Sequence, residues 1–241
     1  MGAGLLYGCV SATPPAVGKD RDGVLECLDL LDETFDGDAL QVERAMTDDA
    51  AKLQLLQKEG AERIGSSWFN AAHYGEVPPS AFCQLLHDIG AQPGQRFYDL
   101  GSGNGKLVML AWLLGLDAVG IELISERSDA AHSKLQVLKE KVNQSGFSVP
   151  TGSISLIQGS MLDVDFSDAD IAFTYDWLFT AVMKERLGQL SQNMEPGTCV
   201  VSTRGLPGDH LSPVRRVYCW DIRKDNVPQE FSLQYVLEED D

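Results

Sequence analysis

The sequence predicts an α/β fold in which helices cover both faces of a mainly parallel sheet. Three observations predict this fold. Apolar strand patterns alternate with helical patterns from residue 80 to residue 201, which is typical of parallel sheets. A glycine-rich turn joins the first strand to an apolar helix. Polar residues follow the ends of several predicted strands, and this is the edge where open α/β sheets bind their ligands.

The glycine-rich turn lies within FYDLGSGNGK, residues 97–106. Asp99 lies near the end of a buried strand, and Gly101, Gly103 and Gly105 follow at every second position. Glycine has no Cβ, so the backbone can turn sharply there and come close to a ligand. We expect the helix start at Asn104-Gly105 to offer free backbone N–H groups and a positive dipole end to an anionic group.

Three kinds of nucleotide site compete for this turn. The dinucleotide pattern G-x-G-x-x-G requires a glycine where Lys106 stands. The phosphate loop G-x-x-x-x-G-K-[ST] requires a glycine at Leu100 and a Ser or Thr at Leu107. The remaining pattern, D-L-G-x-G-x-G with Glu122 after the next strand, is that of S-adenosylmethionine (SAM) methyltransferases. The other interpretation is an ordinary glycine turn followed by a surface acid.

The chemistry of SAM suits this turn, because SAM lacks phosphates and carries a ribose, an adenine and an amino-acid end. We expect Asp99 to meet the ammonium of SAM, and the glycine turn and helix start to meet its carboxylate. Glu122 lies about twenty residues past the turn, where an acid can accept hydrogen bonds from ribose hydroxyls.

Seven strands are predicted in all. Five buried segments end near residues 100, 121, 157, 174 and 201, and two further segments, 217–222 and 231–236, form a final antiparallel hairpin. This is a Rossmann-like, seven-stranded, mostly parallel sheet with helices on both faces, as in class I SAM methyltransferases. Ser80 and Ser125 are predicted to cap two helix N-termini, and Gly146 is predicted to end the second of these helices.

A small helical segment is predicted before the sheet. We divide the chain into a flexible N-terminus (1–19), an acidic helical cap with a ligand-closing loop (20–79) and a SAM-dependent methyltransferase domain (80–241). Val24, Leu28, Leu31 and Phe35 recur at helical spacing, so one face can pack while the acids stay in water. A second short helix is predicted to end at Gly60. The aromatic residues of 61–79 suit a loop that closes over a ligand or, alternatively, a connector anchored in the core.

Composition limits the possible partners. The net charge of −17 argues against non-specific nucleic-acid binding. It indicates either a basic partner or a surface that only keeps the protein in solution. No apolar run approaches the roughly eighteen residues of a membrane span. The five cysteines are scattered without a C-x-x-C pair, so neither a disulfide framework nor a metal site is indicated. We expect an intracellular protein, cytoplasmic or nuclear, and the sequence predicts no oligomeric state.

A Y-G-E triplet at Tyr74-Gly75-Glu76 precedes the glycine turn by about two dozen residues. Together with FYDLGSGNGK and the GIEL segment that ends in Leu123, it resembles the disruptor-of-telomeric-silencing (Dot-one) family of histone-lysine methyltransferases. The glycine turn is common to all SAM enzymes of this fold, so the Y-G-E loop is the discriminating part. The resemblance runs from about Tyr74 to Ser202, which is over half of the chain.

The resemblance implies roles for particular residues. The loop around Tyr74–Val77 would close over SAM, Asp99 with the glycines would hold the amino-acid part, Glu122 would hold the ribose, and Ser160 and Met161 would flank the adenine. The predicted cofactor-binding residues are therefore Tyr74, Glu76, Val77, Asp99, Gly101, Ser102, Gly103, Gly105, Lys106, Glu122, Ser160 and Met161.

The chain departs from the family pattern at three places. The family's Asp in G-D-[FM]-L is Ser160 here, and its Asn pair is Tyr175-Asp176, while Phe179 keeps the family's aromatic residue. The family's basic nucleosome-binding extension is also missing. Because the Asn pair of the family faces the methyl donor and the acceptor, the acceptor can differ from a histone lysine.

The predicted catalytic residues are Tyr175, Asp176, Trp177 and Phe179. Tyr175 or Asp176 would orient the acceptor amine or carry its proton. Trp177 and Phe179 would line a channel that desolvates a lysine ammonium, or they simply pack in the core.

The predicted function is SAM-dependent methylation of a lysine in a basic protein such as a histone, with S-adenosylhomocysteine as product. Two alternatives stay open. One is a methyltransferase of a small molecule or of a non-histone protein side chain. The other is a catalytically silent SAM-binding module.

Overall fold

The computed structural model describes residues 15–35, 77–148, 150–177, 179–220 and 228–238. Within these residues the chain forms helices and strands in the order expected of an α/β fold. The helices are α1 (Arg21–Phe35), α2 (Pro79–Asp88), α3 (Lys106–Leu114), α4 (Ser125–Ser145) and α5 (Ala181–Leu190). The strands are β1 (Arg96–Leu100), β2 (Asp117–Glu122), β3 (Ile154–Gln158), β4 (Ile171–Phe173), β5 (Cys199–Ser202), β6 (Arg215–Cys219) and β7 (Gln229–Tyr235).

The strands form one seven-stranded sheet in the order β3-β2-β1-β4-β5-β7-β6. The first five strands are parallel, and β7 lies antiparallel between β5 and β6. Leu100 pairs with Ile121 and Glu122 pairs with Gln158, so the carboxyl ends of β1, β2 and β3 lie at one edge. The predicted seven-stranded, mostly parallel sheet with a final antiparallel hairpin is confirmed.

Alternating side chains divide the core between the two faces of the sheet. Phe97 of β1 packs on the face covered by α2, α3 and α4, where its ring lies 5.4 Å from the ring of Phe82 and 6.3 Å from that of Phe173. Tyr98 packs on the opposite face, in a cluster that includes Leu187 of α5. Each fully buried phenylalanine contributes about 1.5–3 kcal/mol of transfer free energy, so these rings bind α2 firmly to the sheet.

Helix α1 forms an additional layer over α3 and α4. The predicted inward positions Val24, Leu28 and Leu31 are fully buried, and Phe35 packs at the edge of the same cluster. A turn before the helix buries Ala16 and Val17 as well. The predicted helix near residues 53–60, the aromatic residues of 61–76, and with them Tyr74 and Glu76, lie outside the described residues.

Two predicted helix caps are wrong. Helix α2 begins at Pro79 and has Pro78 at its N-cap, so Ser80 lies inside the first turn. Proline suits the first helical position because its missing N–H has no partner there in any helix. Helix α4 has Ile124 at its N-cap and begins at Ser125, whose hydroxyl donates to Glu126. The predicted end of α4 at Gly146 is confirmed, with a φ of 76°.

The cysteines among the described residues, Cys27, Cys83, Cys199 and Cys219, are free and buried. Burial raises the pKa of the Cys27 thiol to about 12, so this sulfur stays protonated and unreactive at neutral pH. Within the described residues no group of three or more metal-ligating side chains is arranged to hold an ion. None of the helices in this part of the chain has the length and apolarity needed to cross a membrane.

Candidate active site

The candidate site lies at the carboxyl edge of the sheet, where the ends of neighbouring strands converge. Asp99 lies near the end of β1, Glu122 ends β2, Ser160 follows β3, and the segment 175–179 follows β4. A side-chain hydrogen bond joins the ends of β1 and β4, in which Thr174 donates its hydroxyl to the Leu100 carbonyl (3.1 Å). The topology therefore brings the sequence-predicted acids, the glycine turn and the predicted catalytic segment to one end of the sheet.

The glycine turn is fixed to the end of β2. The N–H groups of Gly101 and Ser102 both donate to the carbonyl of Ile121, at 2.9 and 3.0 Å. Gly101 and Gly103 have φ values of 98° and 57°, which lie in a left-handed region that residues with a Cβ rarely adopt. These two glycines therefore let the chain leave β1 and pass over the end of β2.

Glu122 holds the turn through its side chain. Its Oε2 accepts a hydrogen bond from the Gly103 N–H, and its Oε1 accepts one from the Ile124 N–H, each at 2.8 Å. The guanidinium of Arg127, itself buried, lies 4.0 Å from Oε1. A carboxylate has about four lone-pair sites, so one carboxylate can hold the backbone of a turn and also accept hydroxyls of a ligand. Glu122 thus has a structural role in the turn, and its predicted contact with the ribose stays a prediction.

Asp99 lies beside Glu122 and is also buried. Burial raises the pKa of Asp99 to about 8, and the negative charge of Glu122 adds to the effect. A cationic group bound next to Asp99 would reverse both causes, because it would replace lost hydration and offset the repulsion between the two acids. The pair therefore suits a ligand that carries an ammonium.

Gly105 makes internal contacts rather than facing open space. Its N–H donates to the Ser102 carbonyl (2.9 Å), so the expected free N–H at this position is wrong. A Cβ added there would lie 3.1 Å from the Cβ of Ala131 and 3.3 Å from the Cε of Met109. The short turn closes on itself, and the lack of a side chain lets α4 approach α3.

Lys106 begins α3, and its side chain runs toward α1. The ammonium lies 5.2 Å from the centroid of the Phe35 ring, and the backbone N–H lies 3.4 Å from Oδ1 of Asn104. Lys106 therefore helps to hold α1 over the start of α3. Its predicted cofactor contact stays a prediction.

The end of β3 lies beside the end of β2, because the Gly159 N–H donates to the Glu122 carbonyl at 2.8 Å. The Ser160 hydroxyl accepts a hydrogen bond from the Leu162 N–H (3.2 Å), and Met161 packs half-buried against the α5-side core. Val77, the described member of the predicted closing loop, is buried in the core next to α2.

The predicted catalytic segment turns its side chains in different directions. Tyr175 is half-buried on the α2–α4 face and donates its hydroxyl to Oε1 of Gln229 (3.2 Å). Burial raises the pKa of this phenol. Asp176 is fully buried and faces α5, where its carboxylate contacts Thr203 and Lys184. Both polar groups therefore have partners within the protein, and the predicted catalytic roles of Tyr175 and Asp176 stay predictions.

Of the two aromatic residues of the segment, Phe179 lies next to the glycine turn and Trp177 lies at the surface. The Phe179 ring lies 3.9 Å from the position of a Cβ added to Gly101, so it borders the glycine turn. Trp177 is 45% exposed, and the guanidinium of Arg204 lies 4.7 Å from the centroid of its indole ring. Phe179 is therefore placed beside the glycine turn, and Trp177 faces solvent next to Arg204.

Sequence reasoning missed Arg127, Lys184, Thr203 and Arg204. Arg127 had a signal, since it precedes the inward-facing Ala131 by four residues and so lies on the same helix face. The other three gave none. Each acts through a contact with residues 176–177 that depends on the tertiary structure.

The strand order and the acid–glycine turn–acid arrangement define a Rossmann-like fold of the class I SAM-dependent methyltransferases. Residues 66–216 match the family described as histone methylation protein DOT1, and the chain belongs to this family. The resemblance noted from the Y-G-E loop and the glycine turn is thereby confirmed.

The chain is similar to proteins named histone-lysine N-methyltransferase, H3 lysine-79 specific. It is 31% identical to the one from Caenorhabditis elegans over 146 residues, 57% of this chain and 15% of that protein. It is 26% identical to the one from Aspergillus fumigatus over 185 residues, 73% of this chain and 36% of that protein. The chain thus matches only a minor part of the length of these relatives.

Solved structures of methyltransferases are similar to the chain in fold. An RNA methyltransferase from Salinibacter ruber, crystallised with S-adenosyl-L-homocysteine, superimposes with a TM-score of 0.48 at 21% identity. The similarity covers 69% of this chain and 95% of that protein.

Proposed function

We propose that this protein is a SAM-dependent methyltransferase whose acceptor is a lysine side chain of a basic protein, with a histone as the first candidate. The observation that carries the proposal is the pair of buried carboxylates, Asp99 and Glu122, on either side of a glycine turn in a chain of the DOT1 family. Family membership selects the chemistry, and the pair supplies the means of holding the donor.

The residues at the edge of the sheet fit SAM. Asp99 would receive the ammonium, because its charged form is disfavoured until a cation arrives. Glu122 would accept the ribose hydroxyls while keeping the turn in place. When bound, SAM supplies a methyl group on a sulfonium. The chain itself would align the acceptor with that group and exclude water.

On the acceptor side, Phe179 and Trp177 would form the walls of the approach. A lysine must lose a proton before it can attack, and its ordinary pKa is about 10.4. Aromatic walls lower that pKa by removing water from around the ammonium. Phe179 borders the glycine turn, so a lysine that reaches the turn would pass its ring.

A second candidate is a methyltransferase of a non-histone protein or of a small molecule. The observation that favours it is the set of contacts made by Tyr175 and Asp176, which replace the family's Asn pair. Tyr175 and Asp176 direct their polar groups to Gln229, Thr203 and Lys184 rather than leaving two amides at the acceptor. A protein that lacks the family's two amides at this position would bind an acceptor different from the histone lysine of the family.

The test is methyl transfer from radiolabelled SAM to nucleosomes, free histones and a soluble cell extract in parallel. Glu122→Ala serves as the binding-defective control, and Glu140→Ala on the exposed side of α4 serves as the matched control. We expect label on a histone band, with methyllysine after hydrolysis, in wild type and Glu140→Ala. The label should be lost in Glu122→Ala.

Label only on another component of the extract would replace the histone with the second candidate. Absence of label on every acceptor, with SAM binding intact, would contradict the proposed activity and favour the silent SAM-binding module. A histone acceptor would require the protein to reach the nucleus, so we propose nuclear localisation, which fluorescence microscopy of the tagged protein would test.

A further inference from the structure

The buried carboxylate of Asp176 makes contacts with both of its oxygens. Oδ1 accepts two hydrogen bonds from Thr203, one from its N–H and one from its hydroxyl, both at 2.6 Å. The ammonium of Lys184 lies 2.5 Å from Oδ2, as an ion pair rather than a well-directed hydrogen bond. The Asp176 side chain has no exposed surface, and that of Lys184 is only 17% exposed.

A carboxylate without solvent needs a cation or several donors nearby, because its charge is otherwise too costly to bury. Thr203 supplies two donors from the end of β5, and Lys184 supplies the charge from α5. Loss of the cation would leave Asp176 with a net negative charge in the core. Such an uncompensated charge would favour movement of the segment that carries Asp176.

Asp176 sits at the start of a short segment that is fixed at both ends. Its carbonyl accepts a hydrogen bond from the Phe179 N–H (3.1 Å), which makes a tight turn. At the other end, the Thr180 side chain accepts from the Met183 N–H (3.3 Å) and caps α5. The Thr180 carbonyl accepts from the Lys184 N–H (3.1 Å), so Lys184 lies one helical turn beyond this cap.

The end of β5 holds two consecutive residues of this segment. Thr203 binds Asp176, and the next residue, Arg204, stacks on the next residue of the segment, Trp177. The turn that follows directs the Phe179 ring to the glycine turn, 3.9 Å from the Cβ position of Gly101. The location of both aromatic walls therefore depends on the attachment of Asp176.

We propose that Lys184 is a positioning residue for the methyl acceptor. It neutralises Asp176 and thereby keeps Asp176 and Trp177 attached to the end of β5, with Phe179 beside the glycine turn. Lys184 acts through Asp176, on the face of the sheet away from Asp99 and Glu122. This inference rests on the proposed methyltransferase function, because it assigns Lys184 to the acceptor side of that same site.

The test compares Lys184→Met with the double variant Asp176→Asn/Lys184→Met. An asparagine keeps an Oδ1 that accepts from Thr203, and it carries no charge that requires a cation. We expect Lys184→Met to lower kcat by about 10- to 100-fold through a misplaced acceptor. The dissociation constant for S-adenosylhomocysteine should stay within about twofold, since the donor side is unchanged. This inference gives Asp176 a structural role in place of its predicted catalytic one, so the double variant should recover kcat to within about threefold of wild type.

Arg186→Met is the matched control, since Arg186 is an exposed cation on the same helix whose side chain contacts only its neighbour Gln189 among the described hydrogen bonds. It should leave kcat unchanged. Lys184→Arg keeps the positive charge and should retain most of the activity, which separates loss of charge from loss of fold. Circular dichroism melting of all variants measures stability independently.

An activity-independent measurement separates this inference from the proposed function. In protein labelled with 5-fluorotryptophan, the ¹⁹F resonance of Trp177 is assigned from Trp177→Phe. Lys184→Met should shift or broaden that resonance, and the double variant should return it. If the resonance moves and returns as expected while wild type methylates nothing, the positioning role stands and the proposed activity fails.

Two results would overturn the inference. One is a Lys184→Met protein with the Trp177 resonance and kcat of wild type. The other is a folded double variant whose kcat stays as low as that of Lys184→Met. The reaction would then require the Asp176 carboxylate itself, for example as a proton carrier, which asparagine cannot replace.

Discussion

Asp99 and Glu122 are both buried acids, yet their surroundings give them different properties. Glu122 accepts two backbone N–H groups and has the guanidinium of Arg127 nearby. Asp99 experiences burial and the charge of Glu122, and its pKa is raised to about 8. The Glu122 carboxylate is therefore fixed in place by the protein, whereas Asp99 acquires its charge most easily when a cation binds.

The affinity for S-adenosylhomocysteine should depend on pH through Asp99. The ligand ammonium favours the ionised carboxylate, so affinity should rise by up to about tenfold per pH unit below pH 8 and then level off. Isothermal titration calorimetry between pH 6 and 9 checks this, and buffers of different ionisation enthalpy should reveal proton release at pH 7. The amine of the ligand also titrates in this range, and the pH dependence of the affinity of Asp99→Asn measures that contribution alone. If wild type and Asp99→Asn show the same pH dependence of affinity, Asp99 does not bind the ammonium.

The same group affects the stability of the free protein in a defined direction. Asp99 has an ordinary pKa of 3.8 in the unfolded chain and about 8 in the folded chain, so between these values only the folded chain binds the proton. The free energy of unfolding should therefore fall as pH rises from about 4 to about 8. Asp99→Asn should flatten this dependence. Urea unfolding at several pH values measures it, and an unchanged slope in the variant would assign the dependence to other groups.

Glu122→Ala should weaken both binding and folding, since the carboxylate holds the glycine turn and is the proposed contact for the ribose. It leaves the buried N–H groups of Gly103 and Ile124 without their acceptor, which we expect to cost about 2–4 kcal/mol in the free energy of unfolding. Urea unfolding and calorimetric titration give the two effects separately. Glu140→Ala on an exposed face of α4 should change neither. Normal stability together with lost binding would limit Glu122 to a ligand contact.

At the scale of elements, the contact between α3 and α4 depends on the absence of a side chain at Gly105. Gly105 and Gly146 have nearly equal φ values of 77° and 76°. A Cβ at Gly105 would crowd Ala131 and Met109, whereas nothing lies within 4 Å of a Cβ at Gly146. The two positions therefore separate the cost of a left-handed backbone from the cost of crowding.

Gly146→Ala should destabilise the protein by about 1–2 kcal/mol, the cost of a left-handed alanine. Gly105→Ala should cost about 1–3 kcal/mol more, because the helices must move apart or their side chains must shift. The difference between the two urea midpoints measures the crowding alone. Equal losses would mean that the packing around Gly105 adapts without cost.

The elements themselves could be predicted because their signals are local. Apolar runs and helical spacing gave all seven strands and the buried positions Ala131, Leu135 and Leu138 of α4. The caps at Ser80 and Ser125 were wrong because a good capping residue near a helix start does not decide which residue begins the helix. Pro79 occupies the first helical position instead, where its fixed φ suits the helix.

The proximity of Asp99, the glycine turn and Glu122 could be predicted, and the surroundings of Asp176 could not. Asp99, the glycines and Glu122 lie within one strand–turn–helix–strand unit, so their order along the chain determines their proximity. The environment of Asp176 depends on Thr203, 27 residues away at the end of β5, and on Lys184 across the α5 face. Whether a polar residue faces the ligand or the core is decided by such tertiary contacts, which no local pattern contains.

At the scale of the whole molecule, the dominant feature is the negative charge. The chain carries 36 acidic and 19 basic residues, which gives a net charge of −17. A potential of this sign attracts a basic protein and repels nucleic acid at low ionic strength. Because charges further apart than a Debye length are screened by salt, the long-range part of the attraction is sensitive to ionic strength.

Methylation of a basic protein should therefore weaken as salt increases. Between 50 and 200 mM NaCl we expect kcat/KM for free histones to fall by about three- to tenfold, through slower association. Affinity for S-adenosylhomocysteine should change by less than about twofold, because the acids proposed to bind it, Asp99 and Glu122, are buried. A histone peptide with its flanking lysines and arginines replaced by glutamine is the matched acceptor. Its kcat/KM should start lower and respond little to salt. If native and neutralised acceptors show the same salt dependence, the acidic surface does not contribute to substrate capture and serves solubility alone.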